Sequence, residues 1–110
     1  MSVQHKEIAE GRWGRLSLVE QMANIGSEIE RALNWRAKNK TDYAMKAVER
    51  ALELIDLTLD NTVKASHFKE IARMREAIVD YFAGTNQFMS TDKSWRTYFI
   101  HFAYAARRNY

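Results

Sequence analysis

The sequence predicts an all-α fold, a four-helix up-down-up-down antiparallel bundle, on three observations. Its 110 residues include no proline, where average usage would supply about five or six, so nothing interrupts long helices. Apolar residues recur every three or four positions along four successive stretches, the period of one helix face. The polar breaks between those stretches are short, which forces neighbouring helices to run antiparallel. The length suits one domain, since a second would have no core of its own.

Residues 1–16 form a leader in which Gly11, Trp13 and Gly14 cluster, and Trp13 is expected to pack on the body. The bundle domain then occupies residues 17–110. Ser17-Leu18-Val19-Glu20 has the S-x-x-E form of a capping box. From it Leu18, Met22, Ile25, Ile29 and Ala32 form one stripe of a first helix that should run to about Lys38. Asn39, Lys40 and Thr41 make a polar break, with Thr41 as the expected N-cap and Asp42 at the positive end of the dipole. Ala44, Val48, Ala51 and Ile55 carry the second helix, and Ala47, Leu52, Leu54 and Leu59 widen its face enough to touch two neighbours.

The period lapses after Asn61, and Ser66 offers a cap for a third helix that uses Phe68, Ile71, Met74, Ile78, Tyr81 and Phe82. Gly84 is the expected left-handed terminator. A loop over Thr85 to Met89 presents Phe88, and Ser90 or Thr91 with Asp92 opens a fourth helix through Trp95, Tyr98, Phe99, Phe102 and Ala106. That helix holds more aromatic residues than one core stripe uses. Trp95, Tyr98, Phe99 and Phe102 are therefore expected to form a homo-oligomer interface.

Composition removes several function classes. With no cysteine there is no disulfide framework, thiolate metal site or cysteine nucleophile. His5, His67 and His101 have no partner at metal-ligand spacing, and no Glu-x-x-His pair occurs, so no metal or other cofactor is expected. Phosphate-loop, dinucleotide and nucleophile-elbow motifs are missing as well. No apolar run approaches the roughly 20 residues of a membrane span, and MSVQHKEIAEGRWGR lacks the apolar centre of a signal peptide. The expectation is a cytoplasmic protein with no membrane partner.

The net charge of +3, from 17 basic and 14 acidic residues, is mild for a nucleic-acid binder. Cations gather in three groups: Arg36, Lys38 and Lys40; Arg73 and Arg75; and Arg107 and Arg108. Helix-terminal cations are favoured by the macrodipole alone, which accounts for the first and last groups without a ligand. Arg107 and Arg108, with Trp95, Tyr104 and Tyr110 and with Arg73 and Arg75, also have the chemistry of a stacking-plus-charge surface for RNA or single-stranded DNA.

The last helix carries Arg96-Thr97-Tyr98-Phe99-Ile100-His101, an R-x4-H spacing. Here the chain resembles the HEPN superfamily of small helical proteins, whose active members cleave RNA without metal. The resemblance implies that Arg96 binds the phosphate and His101 moves the proton of the ribose 2'-hydroxyl. The alternative for His101 is a half-buried histidine on an aromatic face. Leu18 to Trp35 and Glu49 to Leu59 also resemble a family of short bacterial helical proteins to which no function is attached.

Two further features leave alternatives open. Asn24 and Gly26 beside the first stripe suit either a polar contact to a ligand or partner, or a close helix crossing. Glu30-Arg31-Ala32-Leu33 recurs as Glu49-Arg50-Ala51-Leu52, either as a duplicated hairpin or because two amphipathic helices draw on the same strong helix formers. Two functions follow. The one favoured, for its fewer assumptions, is an oligomeric binding or adaptor module of a nucleic-acid-processing system that docks nucleic acid or a protein partner. The other is a metal-independent endoribonuclease, a toxin or defence component, using Arg96 and His101.

Overall fold

The computed structural model describes residues 11–108, in which a 3-10 turn at Trp13–Arg15 precedes four helices. These are α1 (Leu18–Ala37), α2 (Thr41–Asn61), α3 (Ala65–Ala83) and α4 (Asp92–Arg108). Ser17 and Glu20 make the expected capping box: the Ser17 Oγ accepts the Glu20 N–H at 3.1 Å and the Glu20 carboxylate accepts the Ser17 N–H at 2.9 Å. At the other end of α1, Asn39 adopts a left-handed φ of 60°. The Lys40 N–H then reaches the Trp35 carbonyl and the Asn39 N–H reaches that of Arg36, the two bonds of a Schellman turn.

That turn corrects the expected start of α2. Lys40 belongs to the Schellman turn and already accepts the Ala44 N–H, so Lys40 is the N-cap and Thr41 is the first helical residue, without a capping bond. Ser66 is likewise inside the first turn of α3, whose N-cap is Lys64. Gly84 ends α3 in an extended conformation rather than a left-handed one. Asn86 and Met89 take the positive φ values instead, both at 57°. The reason lies in Asp80: its carbonyl accepts from Gly84 and Asn86, and its carboxylate from the Gln87 and Phe88 N–H groups, which winds the loop around one residue. Thr91 and Ser94 exchange side-chain bonds with each other's backbone at 2.9 Å and cap α4, as the sequence expects of Thr91.

Bonds between helices fix the topology. Glu28 meets Arg50 and Trp35 meets Tyr43, so α1 and α2 run antiparallel. Asp56 meets Arg75, Glu70 meets Tyr98, and Glu30 and Arg36 meet Arg96 and Asp92, which gives the same relation to α2/α3, α3/α4 and α4/α1. The bundle is therefore up-down-up-down, as expected. The core takes Met22, Ile25, Ile29, Ala32 and Leu33 from α1, and Ala47, Val48, Ala51, Leu54 and Ile55 from α2. Ile71, Met74 and Ile78 of α3 complete it with Trp95 and Phe99 of α4.

Phe68, expected in that core, is 46% exposed, because residues 65–70 at the start of α3 all face solvent. Trp13 packs as expected: it is 2% exposed, its indole N–H donates to Thr58 Oγ1 at 3.1 Å and its carbonyl accepts from Gln21. Among the described residues no helix is long and apolar enough to cross a membrane.

Candidate functional site

The period of α4 sorts its side chains into two surfaces. Trp95 and Phe99 face inward, each 6% exposed, with Tyr98 and Phe102 packed at the edge of the core. Their rings pack on one another, Trp95 stacked on Phe99 with centroids 6.0 Å apart and Tyr98 edge-on to Phe99 at 5.0 Å. The Tyr98 hydroxyl donates to Glu70 of α3 at 3.0 Å, and Tyr81 of α3 donates to Asp92. Trp95 and Phe99, expected at an oligomer face, are instead core residues of the single chain, and Tyr98 and Phe102 are half-buried at its edge. Trp95, Tyr98 and Phe102 reach the seam between α3 and α4, whose backbones stay apart, while Phe99 packs on Gly26 of α1.

The same seam perturbs its tyrosines. Burial, reinforced by the Glu70 carboxylate, pushes the Tyr98 phenol well above its ordinary range. Burial and the bond to Asp92 raise Tyr81 too, against the opposing influence of Arg36. The Arg36 guanidinium bonds Asp92 at 2.8 Å and lies over the rings of Tyr81 and Phe82, at 4.6 Å and 4.9 Å from their centroids. Arg36 is thus a bolt between α1, α3 and α4 at the end of the bundle away from Arg107 and Arg108.

Arg96 is engaged in a comparable way. Its Nε donates to both Glu30 oxygens, at 3.0 and 3.1 Å, and an Nη to Asn34 at 3.3 Å. The bond to Glu30 raises the pKa of Arg96 further. Arg96 also lines a trough of about 430 Å3 between α1 and α4, together with Gly26, Trp95, Phe99, Ile100 and Ala103. His101 is exposed and is not part of that trough. Five residues along a helix turn about 140° around its axis, and α4 is continuous through both positions. Arg96 and His101 of one chain do not form a common site, and His101 is exposed rather than half-buried.

Gly26 resolves as a crossing point, because a Cβ there would lie 2.8 Å from the Phe99 Cβ. Asn24 is exposed and bonds the Glu20 carbonyl within its own helix.

The outward surface of α4 is the candidate site. Thr97, Ile100, His101, Tyr104, Arg107 and Arg108 are exposed, Tyr104 at 60% and Ile100 at 56%. Arg107 and Arg108 follow Tyr104 at three and four residues, so all three share a face. No Asp or Glu follows Asp92 within α4. The other sequence-predicted cations do not join this surface. Arg75 is tied to Asp56 by two bonds, of 2.8 and 3.4 Å, and Arg73 beside it is exposed on α3. The pairing of Glu70 with Tyr98 and of Tyr81 with Asp92 sets Arg73 and Arg75 level with the first half of α4.

Sequence reasoning missed the start of α3 as a neighbour of this surface. His67, Glu70 and Ile71 share a cavity of about 360 Å3 with Phe102 and the start of α1, so exposed Lys64, Phe68 and Lys69 lie at the same end as Arg107 and Arg108. The signal available was the short breaks on either side of α3, which make it antiparallel to α4 and put its start at the end where α4 finishes. Trp95 drops out of the stacking surface because it is buried, and Tyr110 and His5 lie outside the described residues. Among the described residues no three His, Asp or Glu side chains gather in a way that could hold a metal ion. Comparisons with protein-family models, with curated proteins and with solved structures find no match, and the chemistry of the α4 surface rests on its own side chains.

Proposed function

We propose that this chain is a non-catalytic binding module of a nucleic-acid-processing system, which takes single-stranded nucleic acid on the outer face of α4. The observation that carries the reading is Tyr104, 60% exposed, with Arg107 and Arg108 one turn further on and no acidic residue on the helix beyond Asp92. A base stacks on an exposed aromatic ring whatever its sequence, and adjacent arginines hold the phosphates on either side. The engagement of Arg96 by Glu30 and Asn34 favours this reading over ribonuclease chemistry, since that guanidinium is a tie between helices.

The test is a titration of a short single-stranded RNA, and of the DNA of the same sequence, over a range of salt concentrations. Binding should weaken steeply as salt rises. Arg107→Gln with Arg108→Gln should flatten the log–log slope by about 1.4, as expected for two lost contacts to a single strand. Tyr104→Ala should cost about 1–3 kcal/mol, the value of one stacked base. All three side chains are exposed, so the variants keep the fold. Undetectable or salt-independent binding would refute the reading and leave a protein partner. Light scattering on the same samples reads self-association, for which Ile100, 56% exposed in the lining of the α1/α4 trough, is an exposed apolar residue of α4. Cleavage of the RNA in EDTA that His101→Ala abolishes would instead establish the ribonuclease.

A further inference from the structure

The repeated Glu-Arg-Ala-Leu of α1 and α2 has a spatial counterpart. Its apolar letters enter the core: Ala32 and Ala51 are both 0% exposed, Leu33 is buried and Leu52 half-buried. Its arginines, Arg31 and Arg50, come to the seam between the two antiparallel helices and donate to one carboxylate, that of Glu28. Arg31 uses an Nη for this bond and Arg50 its Nε. Glu28 is only 7% exposed, a burial at which a carboxylate requires a partner.

One arginine would neutralise it. The second leaves a net charge of +1, and the bonds to Glu28 leave further N–H donors free on each guanidinium, which carries five in a planar fork. The two heads border a cavity of about 360 Å3 lined also by Asn24 and Ser27, with buried Trp13 and Leu54 contributing apolar wall. Among the described residues Glu28 is the one carboxylate in that lining. A volume of this order is typical of small-ligand sites, which combine apolar walls with a few fixed polar groups. Paired guanidiniums held in place from behind match the oxygens of a phosphate, and their immobilisation lowers the entropy lost on binding.

We infer that the crevice between α1 and α2 is a phosphate-binding site, in which Arg31 and Arg50 clamp the anion and Glu28 holds the two arginines in position. The ligand is phosphate, free or as a monoester on a small molecule whose body rests against the Trp13 side of the crevice. This site is on a different face from the α4 surface and does not depend on it.

The test is NMR titration of the full chain with inorganic phosphate at constant ionic strength, following the Nε–H signals of Arg31 and Arg50 and the indole signal of Trp13. These should shift and saturate with phosphate, and chloride should leave them unmoved. Arg31 is half-exposed, with 53% of its side chain accessible, so Arg31→Gln keeps the Glu28–Arg50 bond and the fold, which far-UV circular dichroism checks. That variant should bind phosphate at least about tenfold more weakly, and Arg31→Lys, which keeps the charge and loses the fork, should recover little of the affinity. Shifts that fail to saturate, that chloride reproduces, or that persist in Arg31→Gln would overturn the assignment. A short oligonucleotide without terminal phosphate serves as the second arm. Shifts at Arg31 and Arg50 caused by it and not by inorganic phosphate would also overturn the assignment, and would make the crevice an extension of a nucleic-acid track.

Discussion

At Gly26 the α1 backbone lies directly against Phe99 of α4, and the missing side chain lets the two helices approach. A methyl group there would sit 2.8 Å from the Phe99 Cβ and 2.9 Å from its ring, inside contact distance. Gly26→Ala gains about 1 kcal/mol of helix propensity, and the forced displacement of α4 costs about 1–3 kcal/mol. The expected result is a net loss of about 1 kcal/mol, read as a lower urea midpoint at unchanged slope; a gain in stability would show that α4 yields freely. The crossing was one of the two readings the sequence left open, because a glycine in mid-helix needs a reason, and the Phe99 contact selects it. Glu28 was not legible. In the one-dimensional pattern it resembles every other acid of an amphipathic helix, and its burial follows from how close α2 lies, which no spacing encodes. The pairings of Arg96 with Glu30 and of Arg75 with Asp56 were hidden in the same way, since helical periodicity assigns a face and leaves the partner open.

Helix ends divide into those the sequence specifies and those their neighbours impose. Ser17 with Glu20, and Thr91 with Ser94, carry both halves of a reciprocal cap within four residues, and both form. Thr41, Ser66 and Gly84 have suitable side chains or backbones for their expected roles, and in each case an adjoining turn decides otherwise. The Schellman turn ending α1 makes Lys40 the cap of α2, α3 starts one residue ahead of Ser66, and Asp80 winds the α3–α4 loop so that Asn86 takes the left-handed position. The difference is measurable. Ser17→Ala should cost about 1 kcal/mol, the ordinary value of a lost N-cap, whereas Ser66→Ala should stay within about 0.5 kcal/mol, as for an exposed position without such a role. Equal losses in chemical denaturation would contradict the assignment of Lys64 as the cap of α3.

At the scale of the whole molecule the four seams are not equivalent. α1 packs closely on α2 and α4, while α3 and α4 are bridged through tyrosine rings and hydroxyls. The fold class and antiparallel order were legible because long periods and short breaks permit little else; the location of the aromatic excess was not, because a sequence does not reveal that two helices stand apart and need large side chains between them. This seam gives the bundle a pH response. The folded state raises the Tyr98 and Tyr81 pKa values, so the protonated phenols stabilise it fully below the unfolded tyrosine value of about 10. Above that pH the unfolded chain releases these protons while the folded chain retains them, and stability falls as pH rises toward the folded values. Unfolding free energy measured on either side of pH 10 should therefore decline, and Tyr98→Phe should lessen the decline; an identical slope in the variant would show that Tyr98 does not contribute.

The three tryptophans are distributed with the same economy: Trp13 on the last turns of α2, half-buried Trp35 against Tyr43 where α1 hands over to α2, and Trp95 inside the aromatic seam. Each chromophore therefore watches a separate junction in its own polarity. Variants retaining one tryptophan at a time would convert the intrinsic emission of this chain into three local clocks, able to tell whether the leader, the hairpin and the last helix come apart together or in turn.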